Sequence, residues 1–498
     1  MPDRGGREFE RHAKEWKQRL SDRSSVFDAF AALFSVVSFC GLYRDIYDNS
    51  NKEIDRRVGG ISQRLRSRME SHLDDESAFE TIPDPVRSEV GRCLAALGQK
   101  GDDEDAIKTA IAWLLFFDSL FIGLGFVLKA DDSVRVTIAR DRLREHKRLN
   151  SADIPGAVLS KSTHGERGAG VFQLLTNLTY VDLLPDASLK YRLFEDAGGA
   201  MALGEFDQFH VGVIAAIQSH TELEWAFRED PPEYEVRLKQ DSEELIIQRV
   251  LGALEKMSDK AHVVVIPELV CSENTTARIA TWLRTTRDRG RHFPLLVLAG
   301  TYLAANGTAR PHNLATVLAG DGTAVLCQHK LNEYTFKASH REGLSIPGAR
   351  GLDYVEAIHR TPYELAVLDL NGLGRIVVMI CEDASSPGPW RKALPCLGPH
   401  VCLLPIMNGP SDNGLWKWVQ YHSENIAAEA GACVFAANSG TLLGPVGRKP
   451  ADYQLFRGPK IAKDSYAKWN LTDSGDVDGD GLTDWWLHAG PSWPILFS

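Results

Sequence analysis

The strongest constraint on the fold is an alternation that begins near residue 205, in which short apolar runs alternate with amphipathic segments. Apolar runs predict buried strands, and a 3.6-residue apolar stripe predicts a helix. The predicted strands span 210–218, 262–268, 295–300, 401–405 and 433–438. The predicted helices span 242–258, 273–289 and 416–430. Strands without a polar side must be covered on both faces, so this pattern predicts an α/β fold.

Two longer segments, 314–330 and 364–381, are typical of β-hairpins. Gly320-Asp321-Gly322 lies at the centre of the first, and Asn371-Gly372 at the centre of the second. These residues readily adopt the tight turns that join antiparallel strands. The second hairpin runs through an apolar strand directly into Cys381.

Residues 1–204 have a different character and are predicted to form a mostly helical N-terminal domain of unknown role. Two apolar stretches stand out, 29–43 and 110–128, and the second contains Asp118. A membrane-spanning helix needs about 20 apolar residues, and a central Asp costs about 3 kcal/mol on insertion scales. A buried helix is therefore favoured over a membrane span.

Charge and cysteine content exclude some classes of protein. The 498 residues carry a formal net charge of -11, which gives no support for a nucleic-acid partner. None of the eight cysteines forms a CxxC pair, and the charged N-terminus lacks the apolar core of a secretory signal. These features favour a reduced, cytoplasmic environment.

Three chemically active residues stand at the ends of predicted strands: Glu268, Lys330 and Cys381. Open α/β sheets bind ligands at the carboxyl ends of their strands. A carboxylate can accept a thiol proton, and a lysine can stabilise both this carboxylate and a tetrahedral oxyanion. This set therefore predicts acyl transfer from a C–N bond through a covalent thioester. Each residue taken alone also has a structural explanation, as a core thiol, a helix cap or a solvated strand end.

The order and context of these residues resemble the nitrilase superfamily of carbon–nitrogen hydrolases over residues 205–450. The matching features are Pro267-Glu268, Asn313 before the lysine, Pro347-Gly348 after it, Cys381 itself, and the segment 422–440. The resemblance implies a four-layer α-β-β-α sandwich with Glu268 as base, Lys330 as oxyanion-stabilising lysine and Cys381 as nucleophile. It also implies that catalysis needs no cofactor and that the chain forms a homodimer or larger homo-oligomer. A small-molecule amide or nitrile would be the substrate.

Members of this superfamily often carry a second glutamate after the lysine, and Glu342 is the best candidate, with Glu333 as the alternative. Cys381-Glu382-Asp383 is similar to the glutaminase domain of glutamine-dependent NAD synthetases, although the SGGxDS loop of their ATP-pyrophosphatase domain does not occur. His422 stands where an arginine is usual. These departures leave the subtype open.

Residues 451–498 are predicted to form a C-terminal tail with an Asp-rich loop, DVDGDGLTD. Asp476, Asp478, Asp480 and Asp484 have the spacing of calcium ligands. Leu487 occupies the twelfth position, where an EF-hand needs a glutamate. A Ca²⁺ site and a plain acidic turn both remain open.

Three functions compete at this point. The first is an amidase or nitrile hydrolase, in which water attacks the thioester. The second is an N-acyltransferase of the same superfamily, in which an amine replaces water. The third is a regulatory or partner-binding protein that uses the scaffold without catalysis.

Overall fold

The fold was analysed in a computed structural model. It describes residues 3–20, 24–41, 43–75, 79–99, 103–122, 124, 133–145, 147–150, 156–161, 174–175, 177–183, 187–194, 210–217, 219–258, 261–288, 296–304, 310–359, 363–370, 374–386, 388–407, 415–438, 454–457, 471–474 and 485–489.

The chain divides into two compact units. The first consists of Met1–Leu193 together with Lys392–Gly398, and the second of Phe194–Arg391 together with Pro399–Ser498. The domain boundary predicted at residue 204 stays a prediction, since residues 195–209 lie outside the described ranges.

The first unit is mostly helical, with a small β component. Its helices are α1 (Asp3–Arg19), α2 (Val26–Cys40), α3 (Tyr43–Leu73), α4 (Asp84–Leu97), α5 (Glu104–Ser119) and α6 (Val134–Arg144). Its strands are β1 (Ala157–Ser160), β2 (Leu178–Val181) and β3 (Ala187–Phe194), of which β1 and β2 pair antiparallel.

The two apolar stretches form the centre of this unit as α2 and α5, which pack against each other. A capping box between Ser25 and Asp28 begins α2, and Gly41, with a φ of 70°, ends it. Helices that are apolar on all sides need protein contacts all round, and most residues of α2 and α5 are buried. Among the helices that the structure describes, none is long and apolar enough to cross a membrane.

The second unit contains the alternating elements. Its strands before the site cysteine are β4 (His210–Ile214), β5 (Leu223–Glu229), β6 (Pro232–Leu238), β7 (Val263–Val265), β8 (Leu296–Ala304), β9 (His312–Ala319), β10 (Ala324–His329), β11 (Thr335–Phe336), β12 (Tyr354–Glu356), β13 (Tyr363–Leu370) and β14 (Gly374–Val378). Its later strands are β15 (Val401–Ile406), β16 (Cys433–Asn438), β17 (Gln454–Arg457), β18 (Leu471–Ser474) and β19 (Trp485–Ala489). Its helices are α7 (Gln240–Met257), α8 (Glu273–Asp288), α9 (Ala338–Gly343) and α11 (Leu415–Ala430). Helix α10 (Pro389–Leu397) begins in this unit, and its residues from Lys392 onward belong to the first.

Two large sheets form the middle of this unit. The first has the order β10–β9–β8–β7–β4–β19–β18, and in the second the strands of this unit run β17–β16–β15–β14–β13. Helices α7 and α8 lie on the first sheet and α11 on the second, while β16 lies against β4 and β7. The predicted α/β architecture, four layers with a mostly helical N-terminal region, is confirmed.

A smaller sheet, β11–β12–β6–β5, is a feature that the sequence-based reading missed. Its main component is the β5–β6 hairpin, inserted between β4 and α7. Strand β6 pairs in parallel with β12, and the register places Glu356 opposite Tyr234.

Within residues 451–498, the described strand β17 adds to the second sheet and the described strands β18 and β19 add to the first. The Asp-rich loop with Asp476, Asp478, Asp480 and Asp484 lies outside the described residues.

Candidate active site

The three strand-end residues of the second unit come together at one cleft. Glu268 follows β7, Lys330 directly follows β10, and Cys381 begins a short 3-10 helix after β14. All three side chains line the same cleft, whose volume is about 320 Å³ including its open mouth. Glu268 and Lys330 are buried, and Cys381 retains 8% of its surface.

Lys330 is held between two carboxylates. Its Nζ atom donates a 2.8 Å hydrogen bond to Oε1 of Glu268 and a 2.6 Å bond to Oε2 of Glu356. Burial alone would lower the pKa of Lys330, but the two carboxylates hold this pKa well above its ordinary value. The ammonium charge therefore persists although the side chain is buried.

Asn313, at the start of β9, joins the same two glutamates. Its Nδ2 atom lies 3.0 Å from Oε1 of Glu268 and 3.1 Å from Oε1 of Glu356. The backbone N–H of Tyr334 donates a further 3.2 Å bond to Glu356. These donors fix both carboxylates without using the thiol.

Glu356, and not the predicted Glu342, lines the described cleft and is hydrogen-bonded to Lys330. Glu342 is 40% exposed and accepts a 2.6 Å hydrogen bond from the backbone of Gly351. Glu333 lies 3.8 Å from Arg310, and neither Glu342 nor Glu333 lines the described cleft. Glu356 was missed because β12, a strand of three residues, has no periodic pattern.

Cys381 sits in a constrained backbone conformation. Its φ of 47° is left-handed, a region that non-glycine residues rarely occupy, and such conformations concentrate at functional sites. The thiol lines the same cleft as Glu268, close enough for that carboxylate to raise the pKa of Cys381. The turn therefore places the thiol in the cleft that holds this carboxylate.

The free thiol is protonated at neutral pH. Burial and the Glu268 carboxylate raise the pKa of Cys381 well above its ordinary value, against the opposing effect of Lys330. Burial also raises the pKa of Glu268 above its ordinary value, because desolvation and the nearby Glu356 outweigh Lys330. A base of raised pKa beside a neutral thiol suits proton transfer during attack.

Asp383 connects the two segments that carry the lysine and the cysteine. Its fully buried carboxylate accepts backbone N–H bonds from Leu331 (3.0 Å), Asn332 (2.9 Å) and Ile380 (3.2 Å). The amide of Asn332 adds a fourth bond of 2.9 Å. Burial raises the pKa of Asp383 to about 7, although these hydrogen bonds favour the ionised form.

His422 lies on α11, where its ring contacts Trp418 and Tyr421. It is not among the described residues that line the cleft. Within the described ranges, no group of three or more His, Cys, Asp or Glu side chains has an arrangement that could hold a metal ion.

Comparison with protein-family models gives no match, and neither does comparison with curated protein sequences. Solved structures do show similarity. A variant of the amidase from Nesterenkonia sp. AN1, with the acetamide moiety of fluoroacetamide added covalently at its active-site cysteine, is 13% identical with a TM-score of 0.36. The alignment covers 60% of this chain and 95% of the amidase.

Two further structures are similar at the same level. An amidase from Nesterenkonia sp. is 15% identical, with a TM-score of 0.35 and coverage of 59% of this chain and 94% of the other. A carbon–nitrogen hydrolase from Helicobacter pylori G27 is 13% identical, with a TM-score of 0.33 and coverage of 51% and 82%. Similarities this low establish no shared family, so a function for this chain must be argued from its own residues.

Proposed function

We propose that this protein hydrolyses a C–N bond of a small amide through a thioester on Cys381. The observation that carries the proposal is the meeting of a thiol, a carboxylate and a carboxylate-bound ammonium in one cleft. Burying the charges of Glu268, Lys330 and Glu356 is costly because they lose their water. A purely structural role therefore seldom accounts for such a group beside a cysteine with a left-handed backbone. Acyl transfer uses all of these groups.

In the first step, Sγ of Cys381 attacks the amide carbon while Glu268 accepts the thiol proton. The carbonyl oxygen becomes an oxyanion, which Lys330 stabilises. The C–N bond then breaks, and the proton on Glu268 passes to the departing amine. The product of this half-reaction is a thioester on Cys381.

In the second step, water attacks the thioester and Glu268 accepts a proton from this water. The C–S bond breaks, a carboxylic acid leaves, and the proton returns to the sulfur. Every proton is transferred by Glu268, so these steps use only side chains of this chain and water.

Mass spectrometry of the intact protein incubated with primary amides tests this function. We expect a transient mass increase equal to the acyl group on Cys381, and release of ammonia. Cys381→Ala should lose both signals, whereas Cys327→Ala, at a cysteine outside the described cleft lining, should keep both. Failure to acylate Cys381 with any amide or nitrile would overturn the proposal.

The same experiment separates hydrolysis from transfer to another acceptor. A hydrolase releases the free acid at a rate that added amines change little. An N-acyltransferase would release the acid slowly and form an amide when an amine is added.

A further inference from the structure

One side of the cleft is an aromatic wall, which we define as Trp225, Tyr234, Tyr334 and Phe336. The ring of Phe336 lies at its centre, with centroid distances of 5.7 Å to Trp225, 5.7 Å to Tyr234 and 6.3 Å to Tyr334. All four residues line the same cleft as Cys381. Aromatic faces at these spacings attract other flat rings.

Trp225 presents an apolar surface to the cleft because its polar atom is already bound. The indole Nε1 donates a 3.2 Å hydrogen bond to the backbone carbonyl of His220. Trp225 alternates along β5 with exposed Glu224 and Ala226, so its side chain points to the covered side of the hairpin.

Two arginines stabilise the position of the β5–β6 hairpin, which carries Trp225 and Tyr234 of the aromatic wall. Arg341 lies over the rings of Phe227 and Tyr354 at 5.9 Å and 5.4 Å. At the start of the hairpin, buried Arg249 forms a 2.7 Å ion pair with Glu222. A wall held in this way is preorganised, so little ordering cost falls on binding.

The charged side chains of the cleft disfavour a substrate that carries a carboxylate. Among the described residues that line it, the charged side chains are Glu268, Lys330 and Glu356, and both glutamates are hydrogen-bonded to the lysine. Two carboxylates against one ammonium leave a net negative charge, so a substrate carboxylate placed there would lose water and be repelled. The described cleft therefore disfavours free amino acids such as glutamine.

We infer that the substrate is an amide whose acyl part carries a flat apolar group, such as an aryl ring, packed on the aromatic wall. This inference rests on the proposed function and names the substrate class of the same site. It departs from the glutaminase-like reading of Cys381-Glu382-Asp383, because all four residues of the aromatic wall lie outside that motif.

Steady-state kinetics of the full chain with phenylacetamide, acetamide and glutamine test the inference. We expect kcat/KM for phenylacetamide to exceed that of the other two by about tenfold or more. In Trp225→Ala, the ratio of kcat/KM for phenylacetamide to that for acetamide should fall about tenfold. Trp225→Phe should retain most of this ratio, and Glu224→Ala, on the opposite face of β5, should leave it unchanged.

The possible outcomes distinguish the inferred substrate class from the proposed function on which it rests. A preference for glutamine or acetamide, with Cys381 still acylated, overturns the inference and leaves the proposed function standing. Absence of acylation by all three amides and by other amides removes both. Iodoacetamide labelling of Cys381 in Trp225→Ala checks that the cleft is intact. If that variant is misfolded, the ratio in Trp225→Leu is compared with that in Glu224→Ala, and equal ratios in these two overturn the inference.

Discussion

Lys330 donates a 2.6 Å hydrogen bond to Glu356, shorter than its 2.8 Å bond to Glu268. Two carboxylates thus share one buried ammonium, in the cleft that Cys381 also lines. In the proposed mechanism the two acids have different roles. Glu356 stays hydrogen-bonded to Lys330, so the proton transfer proposed for Glu268 does not require release of the lysine.

Glu356→Gln should lower kcat by about 10²-fold, because Lys330 loses one of its two anionic partners and the oxyanion site becomes less ordered. Glu342→Gln is the matched control, since Glu342 is a glutamate on helix α9 that lies outside the described cleft lining. This control should change kcat by less than about twofold. Equal effects of the two changes would contradict the role given to Glu356.

Activity should fall on the acid side at a pH above the ordinary glutamate pKa of about 4.3. The unprotonated Glu268 is the active form, and burial raises its pKa, so protonation removes the base at a higher pH than in water. Because Glu356 contributes to the raised pKa, Glu356→Gln should move the acid limb of the residual activity to lower pH. The check is the pH profile of kcat/KM, and a midpoint at or below about 4 would contradict it.

The strand ends explain why much of the site could be predicted from the sequence. Buried strands need long apolar runs, and the polar residues Glu268, Lys330 and Cys381 stand out where such runs end. Their elements are close to the predicted ranges, as with α11 (Leu415–Ala430), expected over 416–430. Helix α8 (Glu273–Asp288) likewise matches its predicted range of 273–289, and the Ser272 side chain caps it by accepting a 3.0 Å hydrogen bond from the backbone N–H of Thr275.

Glu356 and the β5–β6 hairpin could not be found in the same way. The position of Glu356 depends on parallel pairing between β12 and β6, which are far apart in the sequence. The hairpin does have a sequence pattern that predicts it, because apolar and polar residues alternate on both sides of Asp230-Pro231. Continuous apolar runs identify fully buried strands. Half-exposed strands such as β5 and β6 alternate between apolar and polar residues and contain no such run.

Asp383→Asn should destabilise the protein by about 1–3 kcal/mol. The carboxylate accepts four N–H bonds, and an asparagine amide would direct its own N–H groups at some of these donors. Because Asp383 joins Leu331 to Ile380, the change should also slow alkylation of Cys381 by iodoacetamide. Denaturant unfolding and labelling kinetics measure the two effects.

Glu382→Gln is the control for that experiment, at the neighbouring acid of the same 3-10 helix. Glu382 is half-buried and bonded to Ser385, so its change should alter stability by less than about 0.5 kcal/mol. If Asp383→Asn also stays within that range, the carboxylate does not hold the two segments together.

Asp118→Ala should destabilise the first unit by about 2–4 kcal/mol. This acid, alone in the apolar run that forms α5, is 4% exposed. Its Oδ1 atom accepts backbone N–H bonds from Asn177 (2.8 Å) and Leu178 (2.7 Å), at the start of β2. Truncation would leave these two buried donors without their partner, which is costlier than losing an exposed bond.

Asp105, also on α5, provides the matched control. It is 75% exposed and pairs with Arg57, and exposed ion pairs contribute about 0–1 kcal/mol. Asp105→Ala should therefore shift the denaturation midpoint far less than Asp118→Ala. If both substitutions shift it equally, Asp118 is not the anchor of β2, and the presence of an acid in this apolar helix would need another explanation.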